Sequence, residues 1–163
     1  MTEIRLANTP SDFKCIEQLA DTIWRHHYIP ITGIEHVEYM LNKYQSFKAI
    51  EDQVKSGYEY YIINYNNIPV GYLSYLKEKK SLFLSKIYVL SNYRGKRLGK
   101  TAMQFIEDKA RVSNLNRISL TVNRNNSNSI AAYYKMGFVN IGVKIKDIGN
   151  GFVMDDYLLE KSI

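Results

Sequence analysis

The spacing of apolar residues changes at Gly57, and that change constrains the fold more than any other feature of the chain. Before it, Ile16, Leu19, Ala20, Ile23, Trp24 and His27 recur at helical spacing, as do Ile34, Val37, Leu41 and Tyr44, then Phe47, Ile50 and Val54. After it, "YEYYIINY", "IPVGYLSYL" and "SLFLSKIYVL" alternate with a period of two. Asn66-Asn67 and the charged run Lys77–Lys80 separate them and suit hairpin turns. Pro30 and Gly33 are expected to end the first helix, and Gly57 the last of the helical region. "EIRLAN" reads as an opening strand, and Thr9-Pro10-Ser11-Asp12 as a helix start with cap, first-turn proline and acid.

Beyond Leu90 the elements alternate. A basic turn leads into a helix with Leu98, Ala102, Phe105 and Ile106 on one face. "RISLTV" is a strand, "NRNNSNSIAAYYKMG" a polar loop entering a short helix, and "GNG" a turn between "FVNIGVKI" and "FVMDDYLL". The order β-α-α-β-β-β-α-β-α-β-β places helices between strands in both halves. It predicts an α/β (mixed α+β) fold, a mixed sheet with helices on its faces. Residues 1–163 read as a single domain, and with 45% apolar residues the chain can bury a sizeable core.

Charge is distributed unevenly. Residues 1–80 hold 9 Lys+Arg against 10 Asp+Glu, and residues 81–163 hold 13 against 6. The basic excess therefore falls in the half containing "YRGKRLGK", which suits an anionic ligand and equally a solvated basic face. A strand-to-helix turn aims unpaired backbone N–H groups and the positive end of the helix dipole at one spot, and glycine lets a phosphate approach the backbone. The P-loop pattern is not met, because only three residues separate Gly95 from Gly99-Lys100-Thr101 where four are required. The dinucleotide fingerprint G-x-G-x-x-G is absent. The pyrophosphate of coenzyme A is a third phosphate reading.

"YVLSNYRGKRLGKTAMQFIE" resembles the acetyl-CoA-binding segment of the GNAT superfamily of N-acetyltransferases, Arg/Gln-x-x-Gly-x-Gly/Ala, with Arg94 first and Gly99 last. It departs from the pattern at Arg97, where the family most often has glycine. "NSNSIAAYYKMGF", Asn126 to Phe138, resembles the later family motif Asn-x-x-Ser/Ala-x-x-x-Tyr followed by Gly-Phe. The resemblance implies a mostly antiparallel twisted sheet of about seven strands with helices on both faces. It implies direct transfer of an acetyl group from acetyl-CoA to a primary amine, by an acyltransferase without a metal.

The same resemblance assigns residues. Ile87, Tyr88, Val89 and Leu90 would line the pantetheine arm, with a backbone N–H near Val89 polarising the thioester carbonyl. Arg94, Gly95, Lys96, Arg97, Leu98, Gly99 and Lys100 would hold the pyrophosphate, and Asn126 and Ser129 the arm. Tyr133 would protonate the departing thiolate. The general base is unassigned, since the fourth strand carries Lys86 where some relatives carry a glutamate. Tyr28, His27, His26 and Glu35 flank the loop that borders the acceptor in the family and are substrate-side candidates. Asp155 and Asp156 alternate across the last strand, so one should face inward, though an exposed strand acid is the more ordinary role.

A likeness to bacterial polyamine acetyltransferases tilts the acceptor towards a polyamine, with other small amines and peptides left open. A CoA-binding module without turnover is the alternative. Neither nucleic acid nor membrane is expected as a partner, and a homodimer is left open. A lone cysteine, Cys15, allows no intrachain disulfide, and no apolar run approaches the roughly 18 residues that span a bilayer. With no leader-like N-terminus, a cytoplasmic protein is expected.

Overall fold

The computed structural model describes residues 1–163. The strands are β1 (Thr2–Leu6), β2 (Glu59–Tyr65), β3 (Ile68–Lys77), β4 (Leu82–Val89), β5 (Arg117–Asn123), β6 (Val139–Gly149) and β7 (Phe152–Ser162). The helices are α1 (Pro10–Thr32), α2 (Ile34–Tyr44), α3 (Phe47–Lys55), α4 (Leu98–Val112) and α5 (Ser127–Lys135).

Local chemistry sets these boundaries. Thr9 and Asp12 form a reciprocal capping box at the start of α1, and Ser46 caps α3 by accepting from the Ala49 N–H. Asn66 and Asn67 both take positive φ in the β2–β3 turn, the geometry of a tight hairpin. Two boundaries differ from the sequence expectation. Helix α1 passes through Pro30 and stops only at Gly33, whose φ is 88°. In the last turn of a helix a proline forfeits one backbone hydrogen bond without any following turns to disrupt. The helical period from Ile34 to Val54 is two helices rather than one, because Gln45 and Ser46 leave helical geometry and Ser46 restarts the chain.

One seven-stranded sheet runs in the order β1-β2-β3-β4-β5-β7-β6. Every pairing is antiparallel except β4–β5. Helices α1 to α3 cover one face around Ile16, Trp24, Val37, Ile50, Tyr60 and Tyr72. Helices α4 and α5 cover the other around Leu98, Met103, Ile106, Leu120, Ile130 and Leu159. The mixed fold with helices on both faces is thus observed.

Two irregularities of β4 position the site. Its parallel pairing with β5 is limited to Leu82↔Ile118 and Phe83↔Ser119, so from Leu84 onward the two strands part and the sheet splits into a V. Against β3, Leu84 lies opposite Tyr75 but Lys86 lies opposite Ser74, leaving Ser85 as an extra residue in a β-bulge. On a regular strand Leu84 and Lys86 would share a face. The bulge reverses the parity. Leu82 and Leu84 point into the α4 core, whereas Lys86 and Tyr88 point towards α1–α3.

Candidate functional site

The V between β4 and β5 joins two cavities, each of about 430 Å³, one on either face of the sheet. Ile87, Arg94, Ser129 and Tyr133 line both and mark the junction.

The cavity on the α4–α5 side is floored by the basic turn. Val89, Arg94, Gly95, Arg97, Leu98 and Gly99 line it, with Met103, Ala132 and Met136 supplying an apolar wall. Gly95 and Arg97 take φ of 81° and 62°. The turn therefore does require a left-handed residue at position 97, and an arginine occupies it against the usual steric preference. No side chain caps the first turn of α4, so its backbone N–H groups are left for another partner. A Cβ built on Gly95 or Gly99 would meet nothing within 4 Å, which leaves the backbone open to close approach. This open, basic, amide-rich floor beside an unpaired strand edge fits an elongated phosphate-bearing ligand such as acetyl-CoA.

The second cavity lies under α1 and α2. Trp24, His27, Tyr28, His36 and Met40 form its roof, and Phe83, Lys86, Tyr88, Thr121, Asn123 and Asp156 its sheet side. Asn126, the N-cap of α5, makes no capping bond with its side chain. Instead its Nδ2 donates to the Tyr28 hydroxyl at 3.3 Å and its Oδ1 lies 3.0 Å from His27 Nε2. With Oδ1 as acceptor, His27 Nε2 carries the hydrogen. The loop before α5 is thereby tied to α1 across the mouth of the V.

Burial dominates the electrostatics here. It holds the Tyr133 phenol well above its ordinary range, with the nearby Tyr28 adding to the effect. Burial likewise raises Tyr28 and Tyr88. Asp156, buried on β7 opposite Asn123, is pushed up to about 6, by burial first and then by the charge of Asp155, while hydrogen bonding with Thr121 and the charge of Lys144 pull it down. Asp155, one residue earlier, faces away and pairs with Arg124 at 2.9 Å. Lys86 is brought down to about 7 by burial alone.

The sequence-derived residues divide as follows. Ile87, Val89, Arg94, Gly95, Arg97, Leu98, Gly99, Ser129 and Tyr133 line the groove on the α4–α5 side. Asn126, His27, Tyr28 and Tyr88 line the other cavity, Tyr88 because the bulge turns it there. Leu90, Lys96 and Lys100 line neither, and Lys96 Nζ sits 5.4 Å over the Tyr65 ring. His26 and Glu35 also lie outside both cavities, Glu35 exposed on the first turn of α2. Of Asp155 and Asp156, Asp156 is the one that turns inward: it is buried, where an exposed strand acid was the more ordinary expectation, and is the cavity's only lining carboxyl. The one available signal was its adjacency to Asp155, since alternation sends one of two neighbouring acids inward.

A family model for the acetyltransferase (GNAT) family matches residues 17–138. The chain is 25% identical over 150 residues to the spermidine N(1)-acetyltransferase of Thermoplasma acidophilum, covering 88% of this chain and 90% of that one. Among solved structures it resembles the PaiA N-acetyltransferase of T. acidophilum in complex with coenzyme A. That match has a TM-score of 0.80 at 21% identity, over 100% and 99% of the two chains. A GCN5-related N-acetyltransferase of Rhodopseudomonas palustris matches with a TM-score of 0.82 at 18% identity, over 100% and 96%. With the split sheet, the basic turn and the family match spanning most of its length, the chain belongs to the GNAT family of acetyltransferases.

Proposed function

We propose that the protein moves the acetyl group of acetyl-CoA directly to the primary amine of a small molecule, with Tyr133 as general acid and Asp156 as general base. The observation that carries this reading is the position of Tyr133, where the two cavities meet in the V. Acetyl-CoA supplies the activated acetyl thioester. The amides and glycines of the turn from Arg94 to Gly99 hold its pyrophosphate, and the β4 edge that β5 leaves free, at Ile87 and Val89, aligns its arm and polarises the carbonyl.

The amine must arrive without its proton. An alkylammonium with a pKa near 10.4 pays about 4.6 kcal/mol to be free base at pH 7. Asp156, at about 6, is mostly ionised at neutral pH, attracts the cation and is poised to take its proton. The half-buried Tyr133 phenol, held above its ordinary range, stays protonated throughout the working pH range and gives its proton to the sulfur as the C–S bond breaks. Release of free thiol from acetyl-CoA on addition of primary amines tests the reading. Tyr133→Phe should lower kcat about 10²-fold with little change in acetyl-CoA affinity. An unchanged kcat, or a larger loss at the exposed Tyr134, would displace Tyr133 from this role.

A further inference from the structure

The transfer chemistry leaves one buried cation unused. Lys86 is 7% exposed and enters no ion pair. Its Nζ donates to Gln53 Oε1 and to the Tyr60 hydroxyl, each at 2.7 Å, and that hydroxyl in turn donates to Gln53 Oε1 at 2.6 Å. Both partners are neutral and accept only two of the three N–H groups of an ammonium. A buried cation without a counter-charge is costly, which is why burial brings Lys86 down to about 7. Tyr60 on β2 is the titratable side chain it touches; Tyr58 ahead of β2 and His36 and Tyr44 on α2 share its cavity lining, and Tyr72 on β3 its face of the sheet, and none of these is a carboxyl.

The cavity is polarised. Asp156 and Tyr133 stand at the end tied together by Asn126 and Tyr28, and the Asp156 charge is felt at Tyr28. Lys86 lies three strand residues before Val89, about 10 Å along β4, and its Nζ is turned towards β2 and α3. That distance removes it from any nitrogen reacting beside Val89. Arg94, Lys144 and Lys146 add three further cations to the lining, against Asp156 as the sole acid. Trp24 Nε1, a group that can only donate, is buried in the same lining without an acceptor.

We propose that Lys86 is the acceptor-binding group, and that the acceptor is an ω-amino carboxylate whose carboxylate docks on the Lys86 ammonium while its primary amine is presented to Asp156 and Tyr133. The amine end of this assignment rests on the transfer reading; the carboxylate end rests on Lys86 alone. A carboxylate occupies the third N–H and supplies the missing counter-charge. A polyamine would set a second ammonium against the first.

The test compares ε-aminocaproate, n-hexylamine and hexamethylenediamine as acceptors at saturating acetyl-CoA, in the wild type and in Lys86→Met. An acetyl-CoA-induced rise in melting temperature verifies that the variant is folded. The wild type should favour ε-aminocaproate over n-hexylamine by about 10- to 100-fold in kcat/KM, mainly through KM, as expected for a charge-assisted hydrogen bond. Lys86→Met should abolish that preference. A wild type that prefers the diamine, or a carboxylate preference that survives in Lys86→Met, overturns the proposal. Calorimetry of ε-aminocaproate binding to the CoA complex at pH 8 separates the two readings, because seating the carboxylate should draw a proton onto Lys86 in the wild type and not in Lys86→Met. Proton uptake with no thiol release from any amine would sink the transfer reading and leave the Lys86 assignment standing. Absence of ε-aminocaproate binding would do the reverse.

Discussion

Replacing Asp156 with asparagine should make the protein more stable and less active, with a pH dependence set by the carboxyl's environment. Moving a carboxyl from 3.8 to about 6 corresponds to about 3 kcal/mol of native-state cost once the group is ionised. Water entering the cavity reduces this, and about 1–2 kcal/mol is the expected gain for Asp156→Asn at pH 8. Below about pH 4 the acid is protonated in both folded and unfolded chains, so the two proteins should melt alike. Between about pH 4 and 6 the unfolded chain releases its proton while the folded one retains it, so the wild type loses stability relative to the variant. Above about pH 6 the gap should be constant. For a chain of this size the plateau is about 3–6 °C in Tm. Thermal melts of both proteins from pH 4 to 8 measure it, and kcat/KM should fall by about 10² or more in the variant. A variant less stable at pH 8, or a gap that widens as the pH falls, would refute the assignment of Asp156 as a carboxyl strained by burial.

Gly99→Asp should weaken coenzyme A binding more than Arg97→Ala, as measured by dissociation constants, because the first sets a carboxylate against the phosphate path and the second keeps the backbone N–H. Arg97→Gly should raise stability by up to about 1 kcal/mol in chemical denaturation, since it relieves a left-handed conformation at φ 62°. Acetyl-CoA at 100 times its dissociation constant should add about 2.7 kcal/mol of stability, visible as a melting shift that ATP does not reproduce.

Much of the scaffold was legible because it follows from local chemistry. The period change at Gly57, the Thr9–Asp12 capping box, the Asn66-Asn67 turn and the Gly149–Gly151 turn all act over a few residues. Pro30 and the α2–α3 break were misjudged because apolar spacing continues through both positions and does not report a terminal turn or a restart. The basic turn that floors one cavity could be located from its glycines and cations. The lining of the other cavity could not. Whether Asp156 or Asp155 faces inward depends on the β5–β7 register, and whether Lys86 is core or cavity depends on Ser85 standing outside the β3–β4 ladder. Both are long-range pairings that no local pattern encodes.

The bulge at Ser85 also has a bearing on how β4 can evolve. Ser85 itself contributes little chemistry, and many side chains would fit a half-exposed position there. Its place outside the ladder, however, decides which wall of the molecule Lys86 and Tyr88 belong to. Pair it into the β3 ladder, with the Leu82–Leu84 pairing kept, and an ammonium and a phenol rotate into the α4 core while Ile87 and Val89 turn towards α1–α3; delete it, and Lys86 follows Leu84 directly on the opposite face, so every side chain keeps its wall. Position 85 should therefore be permissive both to substitution and to its own loss, whereas one further residue paired into the ladder beyond it would exchange the two walls. Lineages sharing this strand would be free to differ in the residue's identity and in its presence.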